Sequence, residues 1–431
     1  MFVVVKYLFD IMAIGRFVWM TIPEKVLLYG NIRMLYTWAP ILATDWGLSR
    51  EQMSAVLTAG ELAAIVAGFV TPAADKLGNR VMGIAAWVFA VACAALILLP
   101  PTFASILCIR VSASFAATVY LVCAQSSIIN GLQGEDNRGL VTGLSETSWS
   151  ISILCLIPLL SLFFDQFGWR ATFGLFLALL CPFLAEIVFY FPEDKRIRRR
   201  VSDDDLDIDK RSSPWWKSLY RTKYMVVLRN PTALIFNLSS MFFNIAHNAT
   251  FVCFTFWAVD EHDVDVEQMA LVSFVIGAAE LIGAALVMFA GDRFGMFNCI
   301  YVALGLYTSF TVLFFYLSKM SLYAGLAGIS LLYVPGEFVI VAQIAMVEQF
   351  VGADYRSTLL GINFQMHFVG RAIGAAIAPA MYAAGGLQLL TIVGCSCAVV
   401  AFVLVAMSHR RFHKPLTSEI ELQNGTEVAI I

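Results

Sequence analysis

Thr71-Pro-Ala-Ala-Asp-Lys-Leu-Gly-Asn-Arg80 and Phe289-Ala-Gly-Asp-Arg-Phe-Gly-Met296 are the two stretches whose reading decides the fold. Each is a tight polar turn between two long apolar runs. In each, an acid is followed at once by a base and, two residues later, by glycine: Asp75, Lys76 and Gly78, then Asp292, Arg293 and Gly295. The acids lie 217 positions apart, about half the chain. One polar hairpin between membrane helices is common. Two copies half a chain apart indicate a duplicated helical bundle.

Composition agrees. The 431 residues are 60% hydrophobic and only 14% charged, with a mean hydropathy of +0.78. Soluble domains carry about a quarter charged residues, so a soluble enzyme is excluded. Apolar runs of roughly 20 residues recur along the chain, each enough to cross the hydrocarbon layer as a helix. The period-two alternation of a membrane barrel is absent. The nine cysteines are scattered through apolar runs, with no CxxC pair and no metal-ligand spacing, so neither a disulfide framework nor a metal site is expected.

Working outward from the two turns, the chain divides into five parts. Residues 1–22 carry Lys6, Asp10 and Arg16 within about a third of a helical circumference, and are expected to form an amphipathic, membrane-associated segment. An N-terminal six-helix bundle occupies 23–191, with spans near 25–45, 52–72, 80–99, 104–129, 139–163 and 169–191. A polar linker, 192–230, holds a basic run (Lys195 to Arg200) and an acidic one (Asp203 to Asp209). A C-terminal bundle occupies 231–408, with spans near 232–258, 267–289, 297–317, 322–347, 357–383 and 387–408, and a tail covers 409–431. Lys76, Arg80, Arg138, Arg293, Arg356, the linker and the tail all fall on one side of the membrane. The basic-loop rule then places both termini in the cytoplasm.

The repeat reaches beyond the turns. Gly60 and Gly277 each precede their acid by fifteen residues. Arg138 and Gly143 match Arg356 and Gly361, and Ala124-Gln125 matches Ala342-Gln343, at an offset of 218; Asn31 matches Asn248 at 217. On these residues the chain resembles the major facilitator superfamily of secondary transporters over nearly its whole length. The turn after the second span keeps Asp75, Lys76, Gly78 and Arg80 of that family's pattern, with Thr71 and Asn79 where glycine and a base are usual. Arg110, Gly168-Trp-Arg170 and Phe191-Pro-Glu193 also look familiar. The resemblance implies twelve transmembrane helices in two pseudo-symmetric six-helix bundles, rocking by alternating access about a midplane site.

Ionisable side chains at bilayer depth are expensive and mark function. Arg33, in the middle of the first span, is the leading candidate, with Asn31 and Tyr36 beside it. Further candidates for binding solute are Gln125, Asn244, His247, Asn248, Glu337 after Pro335-Gly336, Gln343, His367 and Arg371. Glu61, Glu280, Glu337 and His247 are candidates for exchanging a proton, while Glu61 and Glu280 equally suit plain salt bridges between helices. Buried arginines favour an anionic solute, because a guanidinium clamps a carboxylate or phosphate. No G-x-x-x-x-G-K-[ST] loop occurs, which argues against a nucleotide-driven pump, and no enzyme site stands out.

The expected function is secondary transport of a small, anionic organic solute coupled to protons. Proton-driven efflux of amphipathic drugs is the alternative within transport, and a non-transporting scaffold or receptor the alternative outside it. The expected partners are that solute, protons and the lipid bilayer. No nucleic acid or cofactor is expected, and the chain is expected to be monomeric.

Overall fold

A computed structural model of the chain describes residues 16–70, 73–96, 100–131, 138–191, 224–225, 227–351 and 356–412. Every regular element among them is helical. The first half holds α1 (Arg16–Thr37), α2 (Ala39–Asp45), α3 (Arg50–Val70), α4 (Ala74–Leu77), α5 (Asn79–Leu96), α6 (Phe103–Gly131), α7 (Arg138–Ile151) and α8 (Ile157–Tyr190). The second holds α9 (Pro231–His262), α10 (Val266–Phe294), α11 (Met296–Ser318), α12 (Leu322–Val347) and α13 (Arg356–Phe412).

Nine helices among the described residues are long and apolar enough to cross a membrane. Two of these run double length, Leu140–Phe189 and Thr358–Phe412. Each is broken where a glycine takes a conformation that helices exclude: Gly168 at φ 77° in the first, and Gly385 with Gly386 (φ 56°) in the second. Those breaks coincide with the loops expected between the fifth and sixth and between the eleventh and twelfth spans. Outward-facing side chains are apolar, as with Val66, Phe189 and Val302, each more than half exposed. In water such a surface would be a liability; against lipid it is the expected one.

The two quoted turns have the same backbone solution. Gly78 sits at φ 95°, ψ 139° and Gly295 at φ 82°, ψ 123°, each followed at once by a new helix. A side chain is strained at such angles, so glycine is needed in both copies. Arg80 donates from Nη2 to the carbonyl of Val188 at 2.9 Å, tying the first turn to the end of α8. Arg293 is exposed and lies over the Phe294 ring. The side chains of Asp75, Lys76 and Asp292 lie outside the described residues.

The chain start differs from expectation. Residues 16–22 are not a separate surface segment but the first turns of α1, which runs through Pro23. The helix breaks instead at Trp38, because Pro40 has no N–H to donate back to the preceding turn. Residues 1–15, nearly all of the linker and the tail 413–431 lie outside the described residues. At the linker's end, Tyr224 donates to the carbonyl of Gly68 at 3.0 Å. Asn230 then caps α9 by accepting from the backbone N–H groups of Thr232 and Ala233, just ahead of Pro231.

Within the first half α6 packs on α3 and α5; within the second, α9 packs on α13 and α12 on α10 and α11. Between halves, α3 packs along α13, and α7 with the π-helical turn Ser152–Leu156 packs along α10. These two seams bring the polar residues of opposite halves face to face.

Candidate functional site

α1 runs through the centre with Lys25, Tyr29, Arg33 and Tyr36 on one face, spaced four, four and three residues apart. Arg33 Nη2 donates to Oε1 of Glu280 on α10 at 2.6 Å, and both side chains are buried. Its guanidinium carbon stacks 3.8 Å from the centroid of the Trp149 ring on α7 and 5.3 Å from Phe251 on α9. The pair therefore crosses from the first half to the second.

A second pair crosses in the opposite sense. Arg371 on α13 lies 3.1 Å from Glu61 on α3, Nε to Oε2, and its Nη2 donates to Oε1 at 3.2 Å. Tyr36 donates to the same carboxylate at 2.8 Å, and Arg110 of α6 approaches it at 3.6 Å. Gly60 makes room for Arg110, since a Cβ there would sit 2.3 Å from the arginine Nε. Each half thus contributes one arginine and one glutamate to the interface. Both acids form ion pairs between the halves. Breaking such a pair from one side strands a buried charge, at about 3–5 kcal/mol.

Between these pairs lies a small cavity in two chambers. The larger, about 60 Å³, is lined by Tyr29, Glu146, Trp149, Asn244, Glu337, His367 and Arg371 among others. The smaller, about 20 Å³, is lined by Arg33, Trp149, Asn244, His247, Asn248, Phe251, Tyr333, Ile340 and Arg371. Asn244 Nδ2 meets His367 Nδ1 at 2.9 Å, and Asn248 Nδ2 donates to the Arg371 carbonyl at 2.8 Å. His247 packs 4.6 Å from Tyr333, ring to ring, and bare Gly336 gives it space. Glu337 is buried and no salt bridge to it is seen among the described residues. Its Oε2, His247 Nδ1, His367 Nε2 and Arg33 Nε are buried without a hydrogen-bond partner among the described residues. A bound solute would supply what these atoms lack.

A larger hollow of about 740 Å³ lies between α3 and α13 near Arg50, Pro379 and Tyr382. It contains none of the midplane arginines or glutamates, so the chemistry belongs to the smaller central cavity. The two halves touch at both ends of that cavity. At one end Arg50 forms a two-pronged pair with Asp260 (3.0 and 2.7 Å), and Ser54 donates to the Ala375 carbonyl at 3.1 Å. At the other, Gln365 donates to the Ile65 carbonyl at 3.2 Å, and Met288 presses against bare Gly143. The halves are thus in contact on both sides of the cavity.

Of the expected binding residues, Arg33, Asn244, His247, Asn248, Glu337, His367 and Arg371 line the cavity. Four line neither chamber. Tyr36 donates instead to Glu61, the partner of Arg371. Asn31 is half-buried and sits two residues, about 200° of helix, from Arg33, which turns it away. Gln125 accepts from Lys25 at 3.3 Å and Ser145 at 3.0 Å inside the first half. Gln343 donates to Ser239 at 3.3 Å inside the second. Trp38, Phe254 and Trp257 are packed in the cores of their halves, outside both chambers.

Sequence reasoning missed a charged cluster beside the cavity. The Lys25 ammonium donates to Glu146 at 2.7 Å and Ser145 at 2.8 Å, and Tyr29 donates to the other Glu146 oxygen at 3.0 Å. Deeper in the first half Tyr120 donates to Glu24. The signal for it in the sequence is the stripe Lys25–Tyr29–Arg33 at helical spacing, with Lys25 at the edge of the apolar run, and Trp149 follows Glu146 by three residues on the same face.

A sequence profile of the Major Facilitator Superfamily matches residues 25–375. No curated protein matches the sequence significantly. Among solved structures, the human organic anion transporter MFSD10 (TETRAN) is similar at 16% identity. That likeness covers 90% of this chain and 98% of the other, with a TM-score of 0.65. The proton:xylose symporter XylE, bound to 6-bromo-6-deoxy-D-glucose, is similar at 12% identity, covering 91% and 95%, with a TM-score of 0.71. At such identities these likenesses show the fold.

Proposed function

The chain belongs to the Major Facilitator Superfamily of membrane transporters, and from that premise we propose that it carries a small organic anion together with a proton by alternating access. The observation that carries this reading is the reciprocal pair Arg33–Glu280 and Arg371–Glu61 across the cavity. Both arginines are already neutralised by glutamate, so the cavity is not an open anion trap. A solute carboxylate gains an arginine only when a glutamate gives it up. Protonating Glu280 removes its charge, frees Arg33 and lets the solute anion take its place. Proton and anion then load together, and net charge in the cavity stays balanced, which low dielectric demands.

With both termini cytoplasmic, the Arg50–Asp260 contact closes the outer side and the Gln365–Ile65 contact the inner one. Alternating access requires one of these to open while the other holds. The protein named as an organic anion transporter among the similar structures accords with an anionic solute, and the proton:xylose symporter with proton coupling; neither identifies the solute here.

A second reading is supported by Glu337. A buried carboxylate with no salt bridge among the described residues, near Tyr333, Phe251 and Trp149, suits an amphipathic cation exchanged for a proton. The two readings separate in proteoliposomes. Uptake of organic anions that needs both an inward proton gradient and Arg33 supports symport. Gradient-driven movement of cations that survives Arg33→Gln, and is lost in Glu337→Gln, would put efflux in its place.

A further inference from the structure

The two chambers of the central cavity, about 60 and 20 Å³, are far smaller than the roughly 300–1,000 Å³ of ordinary small-molecule sites. Something must move before a solute fits. Trp149, Asn244, Ile340 and Arg371 line both chambers and so form the wall between them. Asn244 is held by Ser240 and His367, and Arg371 by Glu61. Trp149 is the bulkiest part of the wall. The Arg33 guanidinium stacks on its indole, 3.8 Å from the ring centroid, that of Arg371 lies 5.0 Å from it, and Tyr29 meets it edge-on at 4.7 Å. Glu280 in turn holds Arg33 at 2.6 Å, so the carboxylate is tied to the indole through the guanidinium.

The backbone beside it is irregular. Three residues after Trp149 the helix changes to the π-helical turn Ser152–Leu156. Such turns cluster at functional sites, because a single shift of register moves the neighbouring side chains. Bare Gly277 lies against this turn: a Cβ there would be 2.4 Å from the Leu154 nitrogen, so α10, which carries Glu280, touches the backbone that carries Trp149.

We propose that the Trp149 indole is a movable partition, held by the Arg33 guanidinium that Glu280 fixes against it, whose withdrawal joins the two chambers into the solute site and sets the largest solute accepted. The proposal rests on the anion-symport reading for the class of solute. It explains why the ring that separates the chambers is fastened to one of the ion pairs that loading must break. Losing the charge on Glu280 frees Arg33 and weakens the hold on the indole together. A planar or aromatic anion then takes the place of the indole beside the two guanidiniums, so aromatic carboxylates are favoured over aliphatic ones of equal charge.

The test uses full-length protein in liposomes and a size series of monocarboxylates, aliphatic and aromatic. Trp149→Ala shifts the series toward larger members and raises the KM of the smallest about tenfold, the scale on which pockets discriminate size. Trp149→Phe, which keeps an aromatic ring, falls between. An unchanged series in Trp149→Ala beside an active wild type overturns the partition and leaves the symport reading intact. If the wild type moves no carboxylate, the symport reading fails, and the partition is decided by fluorescence. The emission lost in Trp149→Phe, taken as a difference spectrum, becomes more accessible to acrylamide when Glu280→Ala frees the Arg33 guanidinium. An accessibility unchanged by Glu280→Ala overturns it.

Discussion

The two halves of this molecule share a repeat but fill their interiors differently. In the first half, Gln125 takes part in a charged network with Lys25, Ser145 and Glu146, and Glu61 sits beside Arg110. In the second half its repeat partner, Gln343, makes one side-chain hydrogen bond among the described residues, to the hydroxyl of Ser239. The neighbouring contacts there are amide and imidazole: Asn363 to Asn237, Asn244 to His367, Asn248 to a backbone carbonyl. Most of the buried polar atoms of cavity residues that lack a hydrogen-bond partner among the described residues also belong to the second half: Glu337 Oε2, His247 Nδ1 and His367 Nε2. A fold duplicated in its backbone has thus diverged: the first half ties the buried charges of Lys25 and Glu146 to each other, while the second lines the cavity with amides, imidazoles and the carboxylate of Glu337. The first is built to hold; the second is built to receive.

The comparison breaks most readily at the arginine that joins the halves. Arg33→Gln should lower proton-driven anion uptake by at least about a hundredfold, since it removes a charge-assisted clamp worth about 3 kcal/mol or more. Adding Glu280→Gln should recover thermal stability in detergent without recovering uptake. Recovery of uptake by the double variant would show that Arg33 serves packing alone.

Within the first half, Lys25→Met should strand Glu146 and cost about 3–5 kcal/mol. The drop in thermal unfolding temperature should be largely reversed by Glu146→Leu in the same chain. Glu337→Gln, in the second half, should cost little stability because no salt bridge to it is seen among the described residues. It should change solute affinity several-fold, read as KM in counterflow. The smallest effect is expected for Gln343→Ala, about 0.6 kcal/mol, the usual size of a hydrogen bond between membrane helices. Gln125→Ala should exceed it, since it removes a partner of a buried ammonium. Equal losses at the two glutamines would remove the distinction between the halves.

Much of this was legible in the sequence for a physical reason: glycine at positive φ and charge at bilayer depth are both costly, so they appear only where structure or function requires them. Gly78 and Gly295 announced the repeat, and Arg33, His247, Glu337 and Arg371 announced the cavity. Pairing was not legible. Arg33 and Glu280 are 247 residues apart and Arg371 and Glu61 are 310 apart, and nothing local dictates which acid meets which base. Amides misled for a related cause. Asn31, Gln125 and Gln343 are neutral enough to be used inside a bundle, so their depth carried less information than that of a charge.

The central claim is that a proton on a glutamate replaces an arginine's claim on it, so that proton and anion enter together. Proteoliposomes loaded with a pH-sensitive dye and given an organic anion, with no imposed gradient, test it most directly. Entry of the anion should acidify the lumen in the wild type, and in Glu280→Gln the anion should exchange without moving protons. Anion entry with no change in luminal pH in the wild type would contradict the account.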